Sequence, residues 1–238
     1  MRPDPEQPRE TRPRVAVVLA AGKGVRMKSD RPKVLHEAGG KPLLAWVLAA
    51  ARRAGCERIL VVIGHGAEAV RAAFAGQDDL VWVEQRDQRG TGHALLQAEP
   101  HVGADALLLV LSGDVPLVRA ETLAELAEAA ERGWGALAVA TLAAPGSLGR
   151  VLADGRGGLR AIVEARDASP EELALDTVNA GLYALPAPAI FRHLHALAPD
   201  NAQGELYLTD AVHLVLDAGH GVVQVKLHTA PAEMRFHI

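Results

Sequence analysis

The fold of this 238-residue chain is decided by the stretch RVAVVLAAGKGVRM, residues 14–27. Val15 to Leu19 is an aliphatic, β-branched run typical of a buried strand. Small residues follow at once, so backbone N–H groups can approach a base or a phosphate closely, and a side chain at Gly22 or Gly24 would obstruct that approach. The stretch therefore predicts a strand that ends in a phosphate-binding loop.

Outward from this loop, short aliphatic runs alternate with amphipathic helical stretches. Such alternation is typical of βαβ units, in which the loops at the carboxyl ends of the parallel strands share one edge of the sheet. We predict an α/β, Rossmann-like fold with a mostly parallel central sheet flanked by helices, and a ligand along that edge. The predicted strands are 15–19, 59–63, 80–84 and 106–111, and the predicted helices are 43–54, 67–74, 91–98 and 121–132.

The later part of the chain has a different pattern. Residues 151–152 and 159–163 flank the turn sequence Asp154-Gly155-Arg156-Gly157-Gly158, which indicates a β-hairpin. We expect this smaller β part to cover the pocket.

Composition excludes several classes of protein. The net charge is 25 − 29 = −4, whereas nucleic-acid-binding domains usually carry a basic surplus. The longest apolar runs, residues 15–21 and 43–51, are too short to cross a bilayer. Cys56 is the single cysteine, which fits a reducing compartment. We expect a cytoplasmic protein without nucleic-acid or membrane partners.

The two ends of the chain lack the pattern of a folded core. Residues 1–14 are rich in proline and arginine and are predicted to be a flexible tail. Residues 15–230 are predicted to form one domain, and residues 231–238 a C-terminal tail.

Three charged residues are candidates for phosphate and metal chemistry. Arg26 and Lys33 follow the glycine loop, and Asp114 follows the apolar strand 106–111. Arginine and lysine can hold phosphates, and a carboxylate at a strand end can hold Mg²⁺. The alternatives are a tight turn with solvated basic residues and an aspartate that caps a turn.

A second glycine motif supports a competing hypothesis. Residues 64–69 match G-x-G-x-x-A after a predicted strand, and Glu84 lies twenty residues beyond Gly64. This pattern is typical of nicotinamide-dependent dehydrogenases. Against it, the motif follows the second strand rather than the first. Zinc-protease and acyl-enzyme motifs are absent from the sequence.

A resemblance emerges from the order of several motifs. Residues 19–35 resemble the L-A-A-G-x-G-T-R-M … P-K-V-L signature of sugar-nucleotide pyrophosphorylases, and continuation through His36 resembles the uridylyltransferase domain of the bifunctional N-acetylglucosamine-1-phosphate uridylyltransferase family. Further matches follow in order: Gln85 with Gly90-Thr91-Gly92-His93-Ala94, Gly113 to Leu117, Gly149-Arg150, Ile162 to Glu164, Asn179 to Gly181, and Asn201 to Glu205 with Tyr207, Thr209 and Asp210.

The resemblance implies a nucleotidyltransferase fold and a role for each matching residue. Arg26 and Lys33 would be catalytic, and Asp114 would hold Mg²⁺. The smaller β part would hold the amino sugar through Gly149, Glu164 and Asn179. The nucleotide would be held by Leu19, Ala20, Ala21, Gly22, Gln85, Gly90, Thr91, Ser112 and Gly113.

The implied reaction joins UTP and N-acetylglucosamine 1-phosphate to give UDP-N-acetylglucosamine, a peptidoglycan precursor, and pyrophosphate. The sequence departs from the family at Val25, Leu148 and Arg166, and residues 231–238 lack the family's G-V-N segment. With no hexapeptide repeat present, we expect the family's acetyltransferase activity to be absent. A pyrophosphorylase for another sugar phosphate and a catalytically weak binding module remain alternatives, and the oligomeric state is not predicted.

Overall fold

The computed structural model describes residues 12–22, 24, 29–155 and 158–227. Most of the predicted N-terminal tail, all of the predicted C-terminal tail and Arg26 lie outside the described residues.

The described residues form eleven strands and seven α-helices, with two short 3₁₀ turns at Lys33–Leu35 and Glu99–His101. The strands are β1 (Arg14–Ala20), β2 (Glu37–Ala38), β3 (Lys41–Pro42), β4 (Arg58–Ile63), β5 (Leu80–Glu84), β6 (Leu107–Ser112), β7 (Gly135–Thr141), β8 (Arg150–Ala153), β9 (Leu159–Val163), β10 (Thr177–Pro186) and β11 (Val222–Lys226). The helices are α1 (Leu43–Arg53), α2 (Ala67–Ala73), α3 (Thr91–Ala98), α4 (Ala120–Arg132), α5 (Pro170–Leu173), α6 (Ala187–His195) and α7 (Leu208–Asp217).

The central sheet has the strand order β11-β7-β10-β6-β1-β4-β5. Strands β6, β1, β4 and β5 are parallel to one another, so their carboxyl ends share one edge. Strand β10 runs antiparallel to both β6 and β7. The predicted α/β fold with a mostly parallel central sheet flanked by helices is confirmed.

Both faces of the sheet are buried. Along β1, Ala16 and Val18 belong to one apolar cluster, with α1 and α4, while Val15 and Val17 belong to the other, with α3, α6 and α7. Successive side chains of a strand point to opposite faces, so a strand covered on both sides is apolar throughout. This explains the uninterrupted aliphatic run of β1.

The predicted elements are observed with small shifts at their ends. Strand β1 begins at Arg14, one residue before the predicted start, because Arg14 pairs with Leu107 and the Leu107 N–H donates to the carbonyl of Pro13. The predicted hairpin is formed by β8 and β9, with Val151 opposite Ile162. It extends the sheet because β8 also pairs with β10.

The predicted elements did not include the strands β2, β3, β7, β10 and β11 or the helices α5 to α7. Strand β7 is the run GALAVAT, in which alanine gives a weaker strand signal than β-branched residues. The pairing of β10 with β7 shifts register between Asn179 and Tyr183, and such a bulge breaks the two-residue alternation that identifies a strand. No helix in the described part of the chain is long and apolar enough to cross a membrane.

Candidate active site

A cavity of about 640 Å³ opens at the carboxyl ends of the parallel strands. Most predicted site residues line it: Leu19, Ala20, Ala21, Gly22, Lys33, Gln85, Gly90, Thr91, Ser112, Asp114 and Glu164. We call the part lined by residues 19–22, 24, 33, 34, 85, 88, 90, 91, 94, 112 and 114 the sheet wall. We call the part lined by residues 164, 166, 203, 205 and 207 the loop wall.

Hydrogen bonds to backbone carbonyl groups fix the chain at the end of β1. The Leu19 carbonyl accepts from the Gly113 N–H at 2.9 Å, and the Ala21 carbonyl accepts from Gln88 Nε2 at 2.7 Å. A Cβ atom at Gly22 would meet no atom of the described residues within 4 Å, its chain neighbours apart. The described part of the loop therefore leaves space above Gly22 on the sheet wall, where a ligand can approach the backbone.

Lys33 and Asp114 form an ion pair on the sheet wall. Lys33 Nζ lies 2.6 Å from Asp114 Oδ2, and the two side chains are only 15% and 18% exposed. Gly24 has a φ of +58°, and a Cβ atom there would lie 2.9 Å from Lys33 Cβ. Gly24 thus packs directly against the base of the Lys33 side chain.

Gln85 is a buried amide next to the cavity, 3% exposed. Its Nε2 donates to the Gly90 carbonyl at 3.1 Å and lies 3.0 Å from Nδ1 of His93. Burial and the neighbouring Arg89 lower the pKa of His93, although Asp87 opposes this. The ring is therefore neutral at pH 7 and can accept through Nδ1 when it is protonated at Nε2.

Glu164 is one of two glutamates in the loop wall, with Glu205. Burial raises the pKa of this carboxyl, Asp210 and Asp167 raise it further, and a hydrogen bond from Thr209 opposes the shift. The Thr209 hydroxyl donates to Glu164 Oε1 at 3.2 Å. A Cβ atom at Gly149 would lie 3.5 Å from both carboxylate oxygens, so the glycine keeps the space beside Glu164 open.

Asn179 lies beside Gly149 and does not line the cavity. Its Nδ2 donates to the Tyr183 hydroxyl at 2.6 Å, its Oδ1 accepts from the Gly181 N–H at 2.8 Å, and its own N–H donates to the Gly149 carbonyl at 2.9 Å. Burial raises the pKa of Tyr183, so the hydroxyl stays protonated. Gly113, Gly149 and Asn179 are thus adjacent to the lining residues without lining the cavity themselves.

Several lining residues were not among the predicted site residues. Gln88 lies on the sheet wall, and Arg166, Gln203, Glu205 and Tyr207 form most of the loop wall. The signals in the sequence were the match of residues 201–205 and Tyr207 to the family motif and the departure from the family at Arg166; Gln88 had none. These signals give the order of the residues in the sequence but not their positions in space.

In the competing glycine motif, neighbouring residues fill the space beside Gly64 and Gly66. A Cβ atom at Gly64 would lie 3.0 Å from both Ala21 Cβ and the Gln85 carbonyl oxygen, and one at Gly66 would lie 2.4 Å from Pro32 Cγ. Glu84 forms an ion pair with Arg71 at 2.7 Å. These glycines therefore accommodate neighbouring loops, and the geometry does not favour the dehydrogenase hypothesis.

The described residues also limit the available chemistry. They contain no cluster of three His, Cys, Asp or Glu side chains that could hold a metal by itself. Asp114 nevertheless fits Mg²⁺, which is often held by one or two carboxylates together with substrate phosphates. Burial raises the pKa of the Cys56 thiol to about 11, so this residue is a poor nucleophile at neutral pH.

Comparison with known proteins identifies the family. The family described as MobA-like NTP transferase domain matches residues 16–208. The chain belongs to this family. The match confirms the predicted class, a nucleotidyltransferase domain.

Relatives with about half of their aligned residues identical to this chain are named bifunctional protein GlmU. The protein from Paraburkholderia phytofirmans is 49% identical over 211 residues, covering 88% of this chain and 46% of the relative. The protein from Stenotrophomonas maltophilia is 51% identical over 200 residues, covering 84% and 44%. The resemblance inferred from the motifs is confirmed, and the chain spans less than half the length of these relatives.

A solved structure supports the fold assignment. The UDP-glucose pyrophosphorylase complexed with UDP-glucose has a TM-score of 0.73 and 20% sequence identity, and the similarity covers 90% of each chain. At this identity the comparison supports the nucleotidyltransferase fold alone.

Proposed function

We propose that this domain transfers the uridylyl group of UTP to N-acetylglucosamine 1-phosphate, giving UDP-N-acetylglucosamine and pyrophosphate. The observation that carries the proposal is that one cavity is lined by the glycine loop, Gln85, the Lys33–Asp114 pair and Glu164. These are the positions at which the sequence matches the uridylyltransferase motifs. The relatives named GlmU, at 49% and 51% identity, support the same function.

In the proposed reaction, an oxygen of the sugar 1-phosphate attacks the α-phosphorus of UTP, and pyrophosphate leaves in line. The nucleophile is already an anion, so no side chain needs to act as a general base. The protein instead aligns two anions and neutralises charge. Lys33 is suited to the charge that develops around the α-phosphate, and we assign Arg26, outside the described residues, to the leaving pyrophosphate.

Mg²⁺ fits this site through the Asp114 carboxylate and the phosphates of the substrates, where it would supply charge neutralisation. In the structure Asp114 is paired with Lys33. A metal ion at Asp114 would therefore compete with the Lys33 ammonium, and release of that ammonium would leave it available for a phosphate. Gln85 and the adjacent backbone can supply donors and acceptors that match the edge of uracil.

The sugar is assigned to the loop wall. Glu164 offers carboxylate oxygens that can accept from sugar hydroxyl groups, and Gly149 leaves room beside them. Gly149 and Asn179 would act by positioning this region, since neither lines the cavity.

A cytoplasmic location stays a prediction that rests on Cys56.

The test is a pyrophosphate-release screen of the purified chain with Mg²⁺. Each of UTP, CTP, ATP and GTP is combined with N-acetylglucosamine 1-phosphate, glucose 1-phosphate or galactose 1-phosphate, and products are identified by mass spectrometry. We expect the highest kcat/KM for UTP with N-acetylglucosamine 1-phosphate. The matched control is Asp114→Asn, which should stay folded by circular dichroism and lose most of its Mg²⁺-dependent turnover.

The same screen separates the alternatives. A higher kcat/KM with another sugar phosphate would reassign the acceptor. Binding of UDP-N-acetylglucosamine without pyrophosphate release from any pair would indicate a sugar-nucleotide-binding module.

A further inference from the structure

Residues 201–208, which include Gln203, Glu205 and Tyr207 of the loop wall, connect that wall to the sheet wall. We call them the bridging segment. Next to the sheet wall, the Leu206 N–H donates to the Arg89 carbonyl at 2.9 Å, and the Gly92 N–H donates to the Leu206 carbonyl at 2.8 Å. Next to the loop wall, the Ala202 N–H donates to Asp167 Oδ1 at 3.0 Å. Changes at one wall can therefore reach the other through this segment.

The contact with the sheet wall is too close for side chains. A Cβ atom at Gly90 would lie 2.5 Å from the Leu206 carbonyl oxygen, and one at Gly92 would lie 2.9 Å from the same atom. Gly90 also has a φ of +98°, a conformation that favours glycine. The two glycines thus allow backbone to pack directly on backbone, and they fix the position of Leu206.

Between these glycines, Thr91 contacts the start of another helix. Its hydroxyl accepts from the Leu208 N–H at 3.0 Å, although the two residues are 117 positions apart. Leu208 is the first residue of α7, and Tyr207 before it makes no side-chain capping hydrogen bond. The first N–H groups of a helix lack partners within the helix. Thr91, at the start of α3, supplies one of the missing acceptors.

Thr209, the residue after Leu208, contacts the carboxylate of Glu164. Thr209 is buried, 3% exposed, and its hydroxyl donates to Glu164 Oε1 at 3.2 Å. A shift of the start of α7 would move this hydroxyl and change the orientation of Glu164. The path from Thr91 to Glu164 therefore consists of two hydrogen bonds and one peptide unit.

We propose that the Thr91 side chain is a positioning residue for the sugar phosphate, acting through the start of α7 on Glu164, and is not a recognition group for the base. The proposal rests on the proposed function, because it takes the sugar 1-phosphate as the ligand of the loop wall. Thr91, a residue of the nucleotide motif, would thus affect the affinity for the sugar 1-phosphate at the opposite wall.

The experiment compares Thr91→Val, which keeps the shape but removes the acceptor, with the matched control Thr91→Ser, which keeps the hydroxyl. For Thr91→Val we expect KM for N-acetylglucosamine 1-phosphate to rise about threefold to tenfold, as for the loss of one hydrogen bond, with KM for UTP unchanged. Thr91→Ser should behave like the wild type. In the substrate-free protein, the amides of Leu208 and Thr209 should exchange with solvent faster in Thr91→Val than in Thr91→Ser.

Three results would overturn the proposal: a rise in KM for UTP alone, equal rises for both substrates, or identical exchange of these amides in the two variants. The exchange measurement needs no turnover. If the wild type released no pyrophosphate from any substrate pair, the proposed function would fail, while faster exchange confined to Thr91→Val would still support the coupling to α7.

Discussion

The sheet wall and the loop wall are stabilised in different ways. In the sheet wall, backbone groups bond to backbone groups, as between the Gly113 N–H and the Leu19 carbonyl or between the Gln85 N–H and the Ile63 carbonyl at 2.8 Å. In the loop wall, side chains bond to side chains: Arg166 Nη1 donates to Gln203 Oε1 at 2.5 Å, and Gln203 Nε2 donates to the Tyr207 hydroxyl.

This difference predicts how each wall responds to substitution. Backbone hydrogen bonds do not depend on which side chain is present, so replacing a side chain of the sheet wall should change chemistry more than architecture. In the loop wall, the exposed side chains of Arg166 and Gln203 bond to each other, and exposed polar pairs contribute little each. Substitutions there should give small, graded changes in affinity.

The largest expected effect comes from the cation of the sheet wall. Lys33→Met should lower kcat by about 100-fold to 1000-fold, the usual cost of removing one group that stabilises transition-state charge. KM values should change little if Lys33 acts mainly in the transition state. The measurement is steady-state pyrophosphate release.

The matched control for this substitution is Lys41→Met. Lys41 is an exposed cation whose Nζ lies 5.2 Å from the centre of the Trp46 ring, away from the cavity lining. The turnover of Lys41→Met should equal that of the wild type. Near-normal turnover of Lys33→Met would reduce the Lys33–Asp114 pair to a structural role.

The next largest effect is expected at the buried amide, where the sheet wall depends on a side chain. Gln85→Ala leaves the Gly90 carbonyl and His93 Nδ1 without this donor, and we expect a stability loss of about 1–3 kcal/mol. The preference for UTP over CTP should also fall, by about tenfold or more. Urea unfolding and competition kinetics measure the two effects.

Gln97→Ala is the control for the buried amide. Gln97 also donates to His93, through the backbone carbonyl at 3.2 Å, but it does not line the cavity. It should leave nucleotide preference intact. Equal loss of preference in both variants would mean that His93 packing, rather than the Gln85 amide, controls the base.

A metal-binding measurement tests the ion pair itself. Without substrates, Lys33→Met should bind Mn²⁺, a spectroscopic substitute for Mg²⁺, about tenfold more tightly, because the Asp114 carboxylate is no longer paired. Two unit charges at ~3 Å attract each other by a few kcal/mol, and solvent reduces this energy to roughly the size of a tenfold change in affinity. Electron paramagnetic resonance of free Mn²⁺ gives the affinity. Weaker or unchanged binding would contradict competition between Lys33 and the metal.

A smaller effect is expected in the loop wall. Arg166→Gln should raise KM for the sugar phosphate about twofold to fivefold, as expected for one exposed polar contact, with kcat and KM for UTP unchanged. Arg160→Gln, in an exposed position on β9, is the matched control. A change in kcat larger than 100-fold would place Arg166 in the reaction rather than in the wall.

The smallest effect concerns Glu164 and pH. Burial raises the pKa of this carboxyl in the folded state, so its ionisation opposes folding at pH values above the raised pKa, and the penalty disappears as pH falls below its ordinary value of 4.5. Glu164→Gln should therefore be more stable than the wild type at pH 7, on the order of 1 kcal/mol, and equal to it near pH 3. The measurement is thermal unfolding of both proteins from pH 3 to pH 7. A stability difference that stayed constant over this range would contradict the raised pKa of Glu164.

The sheet wall was largely predictable from the sequence. The aliphatic run of β1, the glycines after it and Asp114 after β6 are local patterns, and parallel strands bring their carboxyl ends to one edge. Those two facts suffice to place Gly22, Lys33 and Asp114 in one cavity. The roles of Gln85 and Glu164 came from the family motifs, because an isolated glutamine or glutamate carries no local signal.

The loop wall was not predictable in this way, since its members come from distant parts of the chain. Arg166 and Gln203 are 37 positions apart, and Thr91 and Leu208 are 117 apart. The register shift in β10 also hid the strand that carries Asn179. No short-range pattern encodes which of many polar side chains will meet across such separations.

The sequence by itself determined an α/β fold with a glycine-containing loop after its first strand, because strand periodicity and glycine spacing act over a few residues. Its family motifs then indicated a nucleotidyltransferase domain. Only the tertiary structure decided that Lys33 pairs with Asp114, that Gly64 and Gly66 serve packing, and that Thr91 reaches α7. Each of those depends on how the strands are ordered in the sheet, and hydrogen bonds and close contacts form only between groups that this order brings within about 3 Å.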